Sequence, residues 1–194
     1  MTVKAKFPIT DDDMQVLLHK YPFLRFHRLY VRKVDNLYHG KSKNIANNYW
    51  KIWDGTGWEK LWKQYLHHKF EEYDTWTKTE QKAFHFEQVK EKFGELRIYN
   101  NHETDTEQIA EWLSGFTCSK CGKQTVVDGK YRIWRTHGWI ENYCEDCAKE
   151  VCEDHDDYTM KECPEFSYRR YSTDGDYTVT FKPTEDGQWL EKEL

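Results

Sequence analysis

The chain has 194 residues, a formal net charge of −5 and a mean hydropathy of −1.01, yet 16% of it is aromatic. That length suits one domain with a real core, and the aromatic content argues against disorder, so the core must be built largely from Trp, Tyr and Phe. No apolar run approaches the roughly 20 residues that cross a bilayer, and the opening MTVKAKFPITDDD carries no hydrophobic segment of signal-peptide type, so a soluble cytoplasmic protein with no membrane partner is expected. In a reducing compartment its six cysteines read as metal ligands and free thiols rather than as a disulfide framework. Charge is polarised along the chain: residues 15–70 hold eleven Lys and Arg against three acids, and residues 145–194 hold six against fifteen.

Thr10-Asp11-Asp12-Asp13 is a helix start, followed by Met14, Leu17, Leu18 and Tyr21 at helical spacing and stopped by Pro22. Phe23 to Lys33 alternates aromatic and basic residues as a half-exposed strand does, and a loop is expected from Asp35 to Asn48. Trp58, Leu61, Trp62, Tyr65, Leu66, Phe70 and Tyr73 recur at three and four, which predicts an amphipathic helix over 57–73 whose aromatic stripe is core. Phe84–Val89 and Glu95–Tyr99 are two β-prone runs joined through Phe93-Gly94, a hairpin signal. Thr104-Asp105-Thr106-Glu107 is a capping box, and Ile109, Trp112, Leu113 and Phe116 give the following short helix its apolar face.

Cys118, Cys121, Cys144 and Cys147 form the pattern C-x2-C-x22-C-x2-C, with Gly122 directly after the first pair. A two-residue spacer turns both thiolates of a pair toward one ion while backbone amides stabilise the sulfurs, and two such pairs complete a tetrahedral shell, so the four are read as ligands of one structural Zn2+. Thr125–Val127, Asp128-Gly129 and Tyr131–Trp134 form a strand-turn-strand signal between the pairs, and the second pair opens a helix-compatible run, Ala148 to Cys152. That order is a treble clef, with a zinc ribbon as the alternative. Cys152, His155 and Cys163 make up most of a second metal shell but lack an evident fourth ligand; free thiols and a surface imidazole are the competing reading. His137 falls in the metal loop as an ordinary histidine. Phe166 to Phe181, with Thr173-Asp174-Gly175-Asp176 at its centre, predicts a terminal hairpin.

The expected fold is therefore α+β: a small aromatic-rich single domain with a zinc-bound treble-clef or zinc-ribbon-like segment and a C-terminal β-hairpin. Its parts are an α+β region over 1–115, a zinc-binding segment over 116–152, and an acidic segment with the terminal hairpin over 153–194.

The block Gln88-Val89-Lys90-Glu91-Lys92-Phe93-Gly94-Glu95-Leu96-Arg97-Ile98-Tyr99 resembles that of a loosely defined group of uncharacterised phage and prophage proteins, which shows a block like QVKEKFGxLRFY followed by a helix and two Cys pairs. Tyr21-Pro22, Gly57-Trp58 and Trp139 extend the resemblance over residues 15–150. Ile98 stands where an aromatic is usual, and the segment after residue 150 looks like an addition. The resemblance implies a viral or prophage origin, hence the cytoplasm of a host cell, and a small zinc-bearing protein; it implies no activity.

A closed shell of four thiolates leaves the metal no position for water or substrate, and no phosphate-cradling loop, serine elbow or zinc-protease helix occurs, so binding is favoured over catalysis and no small-molecule substrate is evident. The first expectation is a protein that modulates a host or phage macromolecular machine, of anti-defence or takeover type, through a host or phage protein partner. The second is nucleic-acid binding: Arg25, Arg28, Arg32 and Lys33 are interleaved with aromatics, and Lys90, Lys92 and Arg97 bracket the Phe93-Gly94 turn. Those last three equally suit pairing with Glu91 and Glu95. A treble-clef nuclease using His137, Asn142 and His155 is the third.

Overall fold

A computed structural model of the chain describes residues 30–33, 36–39, 56–152, 154–163, 166–170, 175 and 177–181. The helix expected after Thr10, the strand expected before residue 30 and the residues Arg25 and Arg28 lie outside this range. Tyr30–Lys33 (β1) pairs antiparallel with Asn36–His39 (β2), so part of the expected 35–48 loop is instead the return strand of a tight hairpin, with Lys33 opposite Asn36.

The aromatic stripe forms its helix, Glu59–Thr75 (α1), and all seven stripe residues are buried. The backbone turns extended at Trp76, and Thr77 restarts it as a short helix, Lys78–Ala83 (α2). Thr77 and Glu80 cap each other: the Glu80 carboxylate accepts the Thr77 N–H at 2.8 Å, and the Thr77 hydroxyl accepts the Glu80 N–H at 3.3 Å. Phe86–Lys92 (β3) and Glu95–Asn100 (β4) form the expected hairpin, and β1 lies against β3. Phe93 (φ 56) and Gly94 (φ 74) both take positive φ at its two-residue turn, the mirror-image geometry that matches the twist of paired strands.

The outer edge of β4 is covered by Asp105–Ser114 (α3), which also packs on α1. Ser114 Oγ accepts the Leu96 N–H at 2.7 Å and Glu111 Oε1 the Ile98 N–H at 2.6 Å, so side chains of α3 satisfy amides that an exposed strand edge would present to other chains. Trp62, Tyr65, Phe84 and Phe86 pack as one aromatic group, with Trp62 stacked on Tyr65 at 5.2 Å between centroids. Leu61, Ile109, Leu113 and Phe116 join Tyr131 and Ile133 of the following sheet in a common core cluster.

One charged residue sits inside this packing. Lys69 has no exposed surface, and its Nζ lies 2.8 Å from Glu107 Oε1 and 3.1 Å from each of Glu72 Oε2, the His102 carbonyl and Thr104 Oγ1. The same ammonium lies 5.3 Å from the Trp76 ring and 5.5 Å from that of Phe84. Glu107, 1% exposed, also accepts the Tyr65 hydroxyl at 2.6 Å and the Thr104 N–H at 2.8 Å, so the capping carboxylate of α3 is the counter-charge of α1. Burial, with the adjacent Glu107 charge, pushes the Tyr65 phenol well above its ordinary range, which keeps it a neutral donor.

The second sheet is built on Lys130–Thr136 (β6). Thr125–Val127 (β5) and Asn142–Tyr143 (β7) share one edge of β6, opposite residues 130–132 and 134–135 respectively, and Tyr158–Cys163 (β8) runs along residues 131–136 on the other. The helix Glu145–Val151 (α4) and a single 3-10 turn, His155–Asp157, link β7 to β8. The acidic segment expected as an appendage thus supplies a strand to the metal segment's own sheet. Phe166–Arg170 (β9) and Tyr177–Phe181 (β10) form the expected terminal hairpin.

Replacing Lys69 by Met should destabilise the protein by about 3–5 kcal/mol in urea unfolding, because Glu107 would stay buried without its cation. The double variant Lys69→Met, Glu107→Gln, which keeps a capping group, should regain most of that loss.

Candidate metal centre

The first cysteine pair lies on a tight knuckle. The Gly122 N–H donates to the Cys118 carbonyl at 2.9 Å, the Cys118 N–H donates to the Lys123 carbonyl at 3.0 Å, and Gly122 adopts φ +77°. The β5–β6 hairpin, turned by Asp128-Gly129, carries the chain out and back to β7. Cys144 is then the N-cap of α4 and Cys147 falls in its first turn, so the second pair sits at the amide-rich end of a helix.

The four Sγ atoms lie within 4.8 Å of one another, and those of Cys121 and Cys144 are 3.7 Å apart. Tetrahedral coordination with metal–sulfur bonds of about 2.3 Å separates sulfurs by about 3.8 Å. The spacing fits a shared ion and is far too long for a disulfide, and all six cysteines are free thiols. Cys118, Cys144 and Cys147 are buried while Cys121 is exposed. Burial raises the Cys118 thiol, but N–H donation from Cys121, Cys144 and Lys120 outweighs it and leaves its pKa lowered. Burial, reinforced by the neighbouring thiols, raises Cys147 far above the ordinary range, and Cys121 is raised in the same way. Four thiols this close cannot all ionise without a cation among them.

The knuckle is fixed from outside by two backbone contacts. The Gly57 N–H, just before α1, donates to the Ser119 carbonyl at 2.8 Å. A Cβ on Gly57 would stand 1.8 Å from the Cys118 carbonyl oxygen and 2.6 Å from the Gly122 nitrogen, and one on Gly122 would stand 2.6 Å from the Gly57 carbonyl. On the other side the Asn142 carbonyl accepts both the N–H (2.8 Å) and the hydroxyl (2.9 Å) of Ser119, while the Asn142 amide donates to the Gly94 carbonyl at 2.5 Å. Asn142 therefore ties the knuckle to the β3–β4 turn.

The remaining sequence candidates are placed as follows. Among the described residues the four cysteines are the one group arranged to share a metal; Cys152 ends α4, and Cys163 ends β8 opposite Tyr131, packed on the core cluster. His137 hydrogen-bonds through Nε2 to Thr159 Oγ1 at 2.6 Å, a link across the sheet. Arg97 pairs with Glu95 at 2.6 Å and with Glu111 at 3.5 Å, so for this cation the internal ion pair is what forms. Lys90 and Lys92 lie instead on rings, their Nζ atoms 5.3 Å from Tyr99 and 5.4 Å from Phe93, and Glu91 accepts the Gly94 N–H at 2.7 Å. Arg32 and Lys33 belong to β1. Sequence reasoning took Gly57 as a turn residue and Asn142 as a metal-site candidate; their roles at the knuckle depend on contacts 62 and 23 residues away along the chain, from Gly57 to Ser119 and from Ser119 to Asn142.

Comparison of the chain with family models, with curated proteins and with solved structures finds no match.

Gly57→Ala should break the docking of the knuckle on α1. The expected result is a lower melting temperature and weaker metal retention against a competing chelator, whereas Gly129→Ala, where an added Cβ meets nothing within 4 Å, should keep metal retention intact.

Proposed function

We propose that Cys118, Cys121, Cys144 and Cys147 hold one structural Zn2+ in a treble clef, and that the chain is a phage- or prophage-encoded binding protein that modulates a host or phage macromolecular machine in the host cytoplasm. The observation that carries this reading is the set of four sulfurs within 4.8 Å of one another, supplied by a knuckle and by a helix start. Four thiolates of that chemistry suit zinc, and they fill its coordination shell, which leaves the ion a folding role and no open position for a reacting group. The knuckle, hairpin and helix follow one another in treble-clef order. Catalysis has no constellation to rest on: His137 and Asn142, the histidine and amide nearest the metal loop, are engaged in holding the sheet and the knuckle together.

A second reading, binding to nucleic acid, is favoured by the β3–β4 hairpin, where Lys90 and Lys92 lie over Tyr99 and Phe93 and so present cations together with rings. Both readings are tested by capture of partners from host lysate with the tagged full chain, with and without nuclease. Capture of a protein that survives nuclease treatment supports the first; retention that disappears with nuclease and falls steeply with salt supports the second.

Elemental analysis should give one zinc per chain, falling in Cys144→Ser. Chelation should remove hydrogen-exchange protection from β5, β6, β7, α4 and β8 together, since β8 is paired to β6 along its length. Survival of that protection after complete metal removal would show that the ion does not organise the fold.

A further inference from the structure

Beside the knuckle is a cavity of about 250 Å³ that neither the metal nor the core uses. Three segments distant in sequence build it: the turn before α1 with Trp58, the end of the β3–β4 hairpin with Glu91 and Gly94, and the β6–β7 connection with Trp139, Ile140, Glu141 and Tyr143. Its volume is below the roughly 300–1,000 Å³ of sites for drug-sized ligands, so it suits a single side chain rather than a cofactor.

The lining combines rings and carboxylates. Trp58 and Tyr143 are buried, whereas Trp139 is 63% exposed, and Phe93, next to Gly94, is 61% exposed. Exposed aromatics at the edge of a pocket are the residue types that anchor protein interfaces. The carboxylates are held in place by neutral donors: Glu91 by the Gly94 N–H at 2.7 Å, and Glu141 by the Tyr143 hydroxyl. The Glu141 backbone is pinned as well, its N–H donating to Thr136 Oγ1 at 2.8 Å and its carbonyl accepting the Thr136 N–H at 3.0 Å. Burial and then the like charge of Glu91 raise the Glu141 acid above its ordinary range, so the two carboxylates sense each other. Lys120, the cation of the lining, is directed to Glu150 at 2.6 Å.

An incoming cation relieves the repulsion between the two carboxylates and gains the attraction of the ring faces, while its alkyl stem covers Ile140 and the indoles. An anion meets like charge, and a neutral apolar group leaves both carboxylates without a counter-charge in a partly desolvated site. We infer that this cavity receives the side chain of a lysine or arginine of a partner protein, with Glu91 and Glu141 as counter-charges and Trp58, Trp139 and Tyr143 as the walls. The inference rests on the reading of the chain as a binding protein and names the chemistry by which it recognises its partner.

The test titrates the zinc-loaded full chain, labelled at its indole nitrogens, with Nα-acetyl-lysine methylamide, with the arginine equivalent, and with the norleucine equivalent as the neutral isostere. The expected result is saturable movement of the Trp139 indole signal, assigned with Trp139→Phe, with a cationic probe binding about tenfold more tightly than norleucine, and with Glu141→Gln removing most of that preference. Equal binding of norleucine, or no saturable shift with any probe, overturns the inference on the wild-type protein alone, whether or not the variant folds. Partner capture from lysate separates the two claims. A partner held equally by wild type and Glu141→Gln sinks the cation pocket and leaves the binding function standing; a selective pocket in a chain that captures no protein does the reverse.

Discussion

The contact on which the arrangement of this protein turns is the one between two glycine backbones, Gly57 and Gly122. One precedes the aromatic helix and the other closes the cysteine knuckle, and they approach so closely that a Cβ on either would overlap main-chain atoms of the other's turn. A helix whose stripe is the core of the first layer is thereby set directly against the metal loop, with the Gly57 N–H donating to the Ser119 carbonyl as the directional part of the contact. Backbone-to-backbone docking of this kind has little freedom to adjust, since neither side carries a side chain that can change rotamer. The position of the sulfurs and the position of α1 are thus one variable rather than two.

From that contact two different devices secure the rest. On the first layer, Lys69 and Glu107 bring a charge from α1 and the capping carboxylate of α3 into a space without water, where each is tolerable only because of the other and of the hydroxyl and carbonyl groups around them. On the second, a metal ion is the natural counter-charge for four thiols that crowd one another. Both are arrangements whose parts come from separate elements and are costly when incomplete, so each specifies how its elements meet more than it adds net stability. Asn142 joins the two layers, because its carbonyl serves the knuckle and its amide serves the β3–β4 turn.

Much of this was legible in the sequence wherever the signal is local. The stripe from Trp58 to Tyr73, the capping box at Thr104, the Phe93-Gly94 turn and the cysteine spacing each depend on residues within a turn or two of one another, and each appears as expected. β8 was not legible, because Tyr158–Cys163 has no buried apolar face and is a strand only by virtue of its bonds to β6. α2 has no buried residue either, and its one signal was the Thr77–Glu80 pair. Lys69 looked like another residue of a basic stretch, since its partner Glu107 lies 38 residues away. The cavity beside the knuckle was invisible for the same reason: its walls come from three segments, and Trp139 and Glu141 carry no pattern of their own.

Charge polarity along the chain is also not charge polarity on the surface. The acids that follow the second cysteine pair are met by cations of the same neighbourhood: Glu150 by Lys120 at 2.6 Å, Asp146 by Lys123 at 3.3 Å and Glu145 by Lys149 at 2.6 Å. On the basic side Lys69 is buried and Lys63 is paired with Glu59 at 2.5 Å. Exposed pairs such as these contribute little stability, but they cancel much of the field that the raw sequence implies at a distance. Recognition that relied on a broad acidic face meeting a broad basic one would therefore be weakened at the places where the sequence made it look strongest. What persists is local: carboxylates set among rings, in a recess where solvent screens them poorly, at the point where the α1 turn, the β3–β4 turn and the β6–β7 connection converge. Because the knuckle holds those three segments together, the metal governs recognition without touching the partner.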